Sequence, residues 1–274
     1  MGKAAAQMII CAAVPFAEGS EQVMEKKDNI LELDNVCMRF GGLMAVNEVS
    51  FTLERGKILG VIGPNGAGKT TMFNTITGFY QGYTGTVKFN GQSMNGKKVN
   101  ERCKLGIART FQVTRPFEKN TLLENVMVGA FHGVDHKPKM KECEQEAEEL
   151  LEYVGLADKK DEYAMSLNVA QRKKLELARA LSTKPSLLLL DEVIGGLNPT
   201  EVLDMMEVIK SINKKGVSIL MIEHVMKAIT GVSDSLVVIN HGEKLMEGNP
   251  GEVMNNPNVI EAYLGSAARR DGNA

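Results

Sequence analysis

The 274-residue sequence predicts an α/β fold, one domain on a parallel sheet with a helical subdomain inserted into it. Three observations lead there. Continuous apolar runs recur at 57–62, 186–190, 217–222 and 236–239, as expected of strands buried on both faces. Helical patterns alternate with these runs. A long helical middle, 122–181, separates the first run from the others.

Taken in order, residues 30–36 alternate apolar and polar side chains and read as a strand, and 49–53 repeat the pattern. After the run at 57–62 come a Gly-rich turn and a helix over Lys69–Thr77. Residues 86–90 form another short strand, closed by the turn dipeptide Asn90-Gly91. Within 139–154, Ala147, Leu150, Leu151 and Val154 fall at i, i+3, i+4, i+7. That spacing predicts an amphipathic surface helix whose Glu and Lys residues form the solvated face. A second helix covers 171–181. The run at 186–190 ends in Asp191-Glu192, and the run at 217–222 ends in Glu223-His224.

Composition excludes several classes of function. An apolar share of 43% with 24% charged residues supports a sizeable core and argues against wholesale disorder. Lys plus Arg number 32 against 34 Asp plus Glu, and Trp is absent, so nucleic acid is not an expected partner. Cys11, Cys37, Cys103 and Cys143 show no metal-ligand spacing and read as reduced thiols of a cytosolic protein. No stretch approaches the ~20 consecutive apolar residues that span a bilayer, so a membrane role requires a partner.

Residues 1–29 differ in character. Lys3 precedes an apolar run over 4–16 broken only by Gln7, and a polar stretch follows. An export signal, a disordered extension and a true start at Met24 are the three readings, and intact mass separates them. The expected organisation is an extension over 1–29, one α/β domain over 30–265 with its helical subdomain at about 113–183, and a tail over 266–274.

Gly63-Pro64-Asn65-Gly66-Ala67-Gly68-Lys69-Thr70-Thr71 matches G-x-x-x-x-G-K-[ST] between a buried strand and a helix, the context that motif requires. Glycines let backbone N–H groups turn toward phosphate oxygens, and the helix N-terminus adds its dipole. Asn65, Gly66, Gly68, Lys69, Thr70 and Thr71 are the expected ATP contacts, Lys69 at the β- and γ-phosphates and Thr70 at Mg²⁺. Asp191 and Glu192 end a buried strand, facing the crevice where α/β ligands bind. Asp191 suits the Mg²⁺ shell, and Glu192 suits a general base for an attacking water.

With these motifs in hand, the chain resembles the ATP-binding subunits of ATP-binding-cassette (ABC) transporters over roughly 30–265. The resemblance rests on Arg109-Thr110-Phe111-Gln112, on His224 at a strand end, on Gly196-Leu197-Asn198-Pro199, and on Phe40 in Met38-Arg39-Phe40-Gly41-Gly42. It implies a P-loop (RecA-like) ATPase core with an antiparallel β subdomain beside the helical one. It implies that Gln112 senses Mg²⁺ and the attacking water, that His224 keeps Glu192 and the γ-phosphate in register, and that Phe40 stacks on adenine. Two ATP-binding subunits would pair head to tail at the cytoplasmic face of the inner membrane. Two transmembrane permease subunits and, indirectly, a substrate-binding protein would complete the system.

The family signature L-S-G-G-Q is replaced by Leu167-Asn168-Val169-Ala170-Gln171. Asn168, Ala170 and Gln171 are nonetheless its expected nucleotide contacts, because an Asn amide can donate to a γ-phosphate. Val193 stands where Pro usually follows the carboxylate pair. Phe73-Asn74-Thr75-Ile76-Thr77-Gly78-Phe79-Tyr80, Glu247-Gly248-Asn249-Pro250 and Glu261-Ala262-Tyr263-Leu264-Gly265 resemble the branched-chain amino-acid importer branch. Related systems for urea, other amino acids or lipopolysaccharide, and a nucleotide-gated subunit with weak hydrolysis, are the alternatives. A small-molecule kinase fits the phosphate loop alone, but the signature-like helix and His224 argue against it.

Overall fold

A computed structural model describes residues 28–134 and 139–263. Strands β1 (Asn29–Phe40) and β2 (Leu43–Glu54) form an antiparallel hairpin. It outruns the alternation seen at 30–36 and 49–53 because bulges reset the period. Asn35 and Glu48 take φ of 47° and 49°, the register shifts around Val36, and Met38 returns to the core. Next come β3 (Ile58–Ile62), buried throughout, and α1 (Lys69–Thr77). Strand β4 (Thr84–Phe89) pairs with β1 and turns through Asn90 and Gly91, at φ 49° and 72°, into β5 (Gln92–Ser93). The antiparallel sheet has the order β2-β1-β4-β5.

Two elements that no sequence pattern marks follow, α2 (Val99–Lys104) and β6 (Ile107–Arg109). Both are too short to display a period. Arg102 of α2 is 1% exposed because its guanidinium closes the end of α1. It donates to the carbonyls of Thr75 (2.7 Å), Ile76 (2.6 Å) and Met94 (2.7 Å).

Helices α3 (Leu122–His132), α4 (Met140–Tyr153) and α5 (Val169–Leu181) share a core that includes Leu122, Val126, Ala147, Leu151, Leu175 and Ala178. Capping boxes at Thr121/Glu124 and Asn168/Gln171 start α3 and α5. The other side of α5 places Leu177 and Ala180 in the core of the parallel sheet. One helix thus belongs to both packing units.

The chain continues through β7 (Leu187–Asp191), α6 (Pro199–Lys214), β8 (Ser218–Ile222), α7 (Met226–Val232), β9 (Ser235–Asn240), β10 (Glu243–Gly248) and α8 (Pro250–Met254). The second sheet has the order β10-β9-β3-β8-β7-β6, parallel except at β9-β10. Leu187 and Leu189 pack toward α1 and the antiparallel sheet, while Leu188 and Leu190 pack toward the helices. Burial on both faces explains the unbroken apolar run. The adjacency β3-β8-β7-β6 lines up the C-terminal strand ends along one edge, where open α/β sheets bind ligands.

Cys37, Cys103 and Cys143 form no disulfide among the described residues. Cys11, residues 1–27 of the expected extension, and the tail over 266–274 lie outside the described residues.

Candidate active site

The loop between β3 and α1 takes its shape from glycines that nothing else could replace. Gly63 has φ 152°, and a Cβ there would lie 2.0 Å from the Ile239 carbonyl oxygen. At Gly68, with φ 101°, a Cβ would lie 2.2 Å from the Ala45 carbonyl oxygen. The β9–β10 turn straps the loop from outside, since Gly242 N donates to Ala67 O (2.9 Å) and Asn47 N donates to Gly242 O (2.8 Å). Gly68 caps α1 with no side chain, and the first turn holds no acidic residue. The helix therefore presents bare N–H groups and an uncompensated dipole to an anion. Asn65, Gly66 and Thr70 are exposed, and Thr71 is half-buried.

Lys69 is 6% exposed, and its Nζ donates to Gly63 O (2.7 Å) and Pro64 O (2.9 Å). Burial lowers its pKa from the ordinary ammonium value, against the pull of Glu192 and then Asp191.

Asp191 ends β7 at 1% exposure. Its Oδ2 accepts from Arg109 Nη2 at 2.6 Å, and its backbone N donates to Thr110 Oγ1 at 3.1 Å. Burial raises its pKa, with the Arg109 hydrogen bond opposing. Its Oδ1 is buried with no hydrogen-bond partner among the described residues. Arg109 also donates to Asn74 of α1 and lies 5.1 Å from the Phe111 ring centroid.

Glu192, one residue past β7, has φ 52°, a left-handed conformation that costs a non-glycine residue about 1–2 kcal/mol. Four contacts offset that strain. The backbone N donates to Ile222 O (2.9 Å), and the carbonyl accepts from Lys173 Nζ (2.6 Å). Gln112 Nε2 donates to Oε2 at 2.8 Å, and His224 Nε2 lies 2.6 Å from Oε1. Val193 in place of Pro is compatible with this turn, because a following Pro would push Glu192 toward extended backbone. The next residue, Ile194, donates its N–H to Glu223 Oε1 at 2.7 Å.

The structure thus brings Gln112, Glu192 and His224 into one cluster beside Asp191, at the strand edge from which the loop of Lys69 also springs. Phe40 is 41% exposed at the end of β1, edge-on to Tyr80 with centroids 5.0 Å apart. Asn168, Ala170 and Gln171 sit at the start of α5. No hydrogen bond among the described residues joins them to the phosphate loop or to Glu192. Sequence reading assigned no separate role to Arg109, Asn74, Lys173 or Glu223. Arg109 and Asn74 lie inside stretches that carry the resemblance and Glu223 adjoins His224, which is the available signal for them.

A family model for "ABC transporter" matches residues 46–195, and one for "Branched-chain amino acid ATP-binding cassette transporter" matches 243–269. The high-affinity branched-chain amino acid transport ATP-binding protein LivG of Escherichia coli is 40% identical over 251 residues, 87% of this chain and 98% of that protein. BraF of Pseudomonas aeruginosa, with the same description, shows the same identity and coverage. A crystal structure of the ADP conformation of an ATP-binding cassette of an ABC transporter superposes with TM-score 0.80 at 33% identity. That match covers 86% of this chain and 99% of the other. The chain belongs to the ABC transporter family, in its branch of branched-chain amino acid transport ATPases.

Proposed function

We propose that the chain hydrolyses Mg²⁺-bound ATP to power import of branched-chain amino acids through separate permease subunits. The observation that carries this is Glu192, gripped on its two oxygens by Gln112 and His224 at the strand edge that bears the phosphate loop.

The residues fit a hard cation. Asp191 Oδ1 is a buried oxygen with no hydrogen-bond partner among the described residues, Thr70 is exposed beside the loop, and Gln112 keeps its amide oxygen while its nitrogen serves Glu192. Asp191, Thr70 and Gln112 would hold Mg²⁺, which would supply positive charge against the negative charge that develops on the phosphates. Lys69 exchanges its two loop carbonyls for phosphate oxygens. Backbone N–H groups of Asn65, Gly66, Gly68, Thr70 and Thr71 line the loop around those oxygens. Phe40 offers its exposed ring to adenine. Glu192 accepts a proton from water as that water's oxygen bonds to the γ-phosphorus. The bond from the γ-phosphorus to the bridging oxygen breaks, and ADP leaves with that electron pair. Gln112 and His224 fix the carboxylate so that one oxygen faces the water.

A second ATP-binding subunit pairs head to tail with this one. Its Asn168, Ala170 and Gln171 approach the γ-phosphate held here, and those of this chain approach its partner's. Residues 30–265 form the ATPase domain, with 113–183 as its helical subdomain. Between β6, α1, α3 and α5 a mainly apolar cavity of about 700 Å³ runs from Thr70, Gln112 and Asp191 out to exposed Phe79, Phe111 and Val113. Its outer end, at these three side chains, receives a helix from a permease subunit, with the chain at the cytoplasmic membrane face. No helix among the described residues is long and apolar enough to cross a membrane. The test is affinity capture of the tagged chain from detergent-solubilised membranes. Copurifying permeases and ATP-driven leucine uptake by the reconstituted complex support the reading. A complex that carries a different solute, or that carries none, refutes it.

A further inference from the structure

Two side chains of α5 reach the two ends of a single contact, the hydrogen bond from Gln112 to Glu192. Lys173 Nζ donates to the Glu192 carbonyl at 2.6 Å. Three residues later, Glu176 Oε1 accepts from the backbone N–H of Phe111, the residue just before Gln112. Both side chains are buried, at 8% and 7% exposure. Residues i and i+3 share one helix face, so the two grips act from a single rigid surface. Burial is costly for both groups. It lowers the Lys173 pKa and pushes Glu176 up to about 7. Glu176 Oε2 stays buried without a hydrogen-bond partner among the described residues. Charged side chains kept in such positions, when an apolar helix face would pack at lower cost, call for a role.

We infer that Lys173 and Glu176 are positioning residues that set the Gln112–Glu192 geometry from α5, the helix that Asn168 caps. Lys173 pins the carbonyl of the strained Glu192. Glu176 pins the backbone that aims the Gln112 amide. Neither touches the nucleotide. This rests on the reading of Gln112 and Glu192 as the hydrolytic pair.

The experiment uses the full-length chain, assembled with its permeases where these copurify, and measures steady-state ATP hydrolysis, ATP affinity by fluorescent-nucleotide displacement, and thermal midpoint. Glu176→Leu and Lys173→Met should each lower kcat about 10- to 100-fold, the scale of a small misplacement of a reacting group. ATP affinity should change less than about 3-fold, since the phosphate loop and Phe40 are untouched. Glu176→Gln keeps an acceptor for the Phe111 N–H and should restore most of kcat. In a Gln112→Ala background Glu176→Leu should cause no further loss, because its effect runs through Gln112. The inference is overturned if Glu176→Leu costs the same factor with and without Gln112. It is equally overturned if Glu176→Gln is as impaired as Glu176→Leu, or if affinity falls in step with kcat. Should Glu176→Leu not fold, Lys173→Met decides by its kcat and affinity alone. Failure of the underlying reading looks different, since Gln112→Ala and Glu192→Gln would then hydrolyse ATP at the wild-type rate.

Discussion

Replacing Arg109 by Met should unfold the protein well below the wild-type temperature. Arg109 and Asp191 have side-chain exposures of 6% and 1% and meet at 2.6 Å. Removing one member of a buried pair leaves the other charge without compensation, which typically costs about 3–5 kcal/mol. Asn74 would also lose the donor to its Oδ1, adding about 1 kcal/mol. Met fills similar volume, so a cavity contributes little. For a chain of this size about 1 kcal/mol moves the midpoint by roughly 2–4 °C. The expected fall is therefore on the order of 10–20 °C, read by circular dichroism without nucleotide. Asp191→Asn added to Arg109→Met removes the stranded charge and should recover part of that loss. A fall under about 3 °C, or strict additivity of the two changes, would refute the argument that this pair is dry and mutually dependent.

Phe40→Ala should weaken ATP binding by about 1–3 kcal/mol, the worth of one base stack, with little change in the thermal midpoint; a nucleotide titration checks it. Asn198 accepts from the N–H groups of Thr200 and Glu201 at the start of α6, so Asn198→Ala should cost about 1 kcal/mol in denaturant unfolding. Burial raises Glu223 from the ordinary carboxylate value to about 7. Between pH 4.5 and 7 the folded state then binds more protons than the unfolded one, so this group's contribution to stability falls as pH rises through that window. Glu223→Gln keeps an acceptor for Ile194 and should reduce the loss of thermal midpoint between pH 5.5 and 8. An unchanged pH profile would show that Glu223 is not the group responsible.

How far the site was legible depends on how locally it is written. The phosphate loop is nine contiguous residues, and its helix falls at Lys69–Thr77 as the pattern predicts. The carboxylate pair is legible because an unbroken apolar run ends in it. Helix α4 matches its heptad-like spacing to within a residue at each end. Long-range partners leave no such trace. Arg109 meets Asp191 across 82 positions, and Lys173 meets Glu192 across 19. Within Arg172-Lys173-Lys174 nothing in the letters singles out Lys173, and only its burial does. Arg102 likewise reads as a surface charge on a short helix until the carbonyls of α1 appear around it. Strands β1 and β2 run beyond 30–36 and 49–53 because Asn35 and Glu48, at positive φ, break the alternation.

We propose that Glu192 performs the proton transfer of ATP hydrolysis within the Gln112–Glu192–His224 cluster. A single-turnover measurement with Mg²⁺ and radiolabelled ATP, comparing wild type with Glu192→Gln in the assembled complex, tests it most directly. The variant should bind ATP as tightly as wild type and release phosphate at least about 100-fold more slowly, as expected from losing a general base. Phosphate release within about 3-fold of wild type at equal occupancy would contradict it.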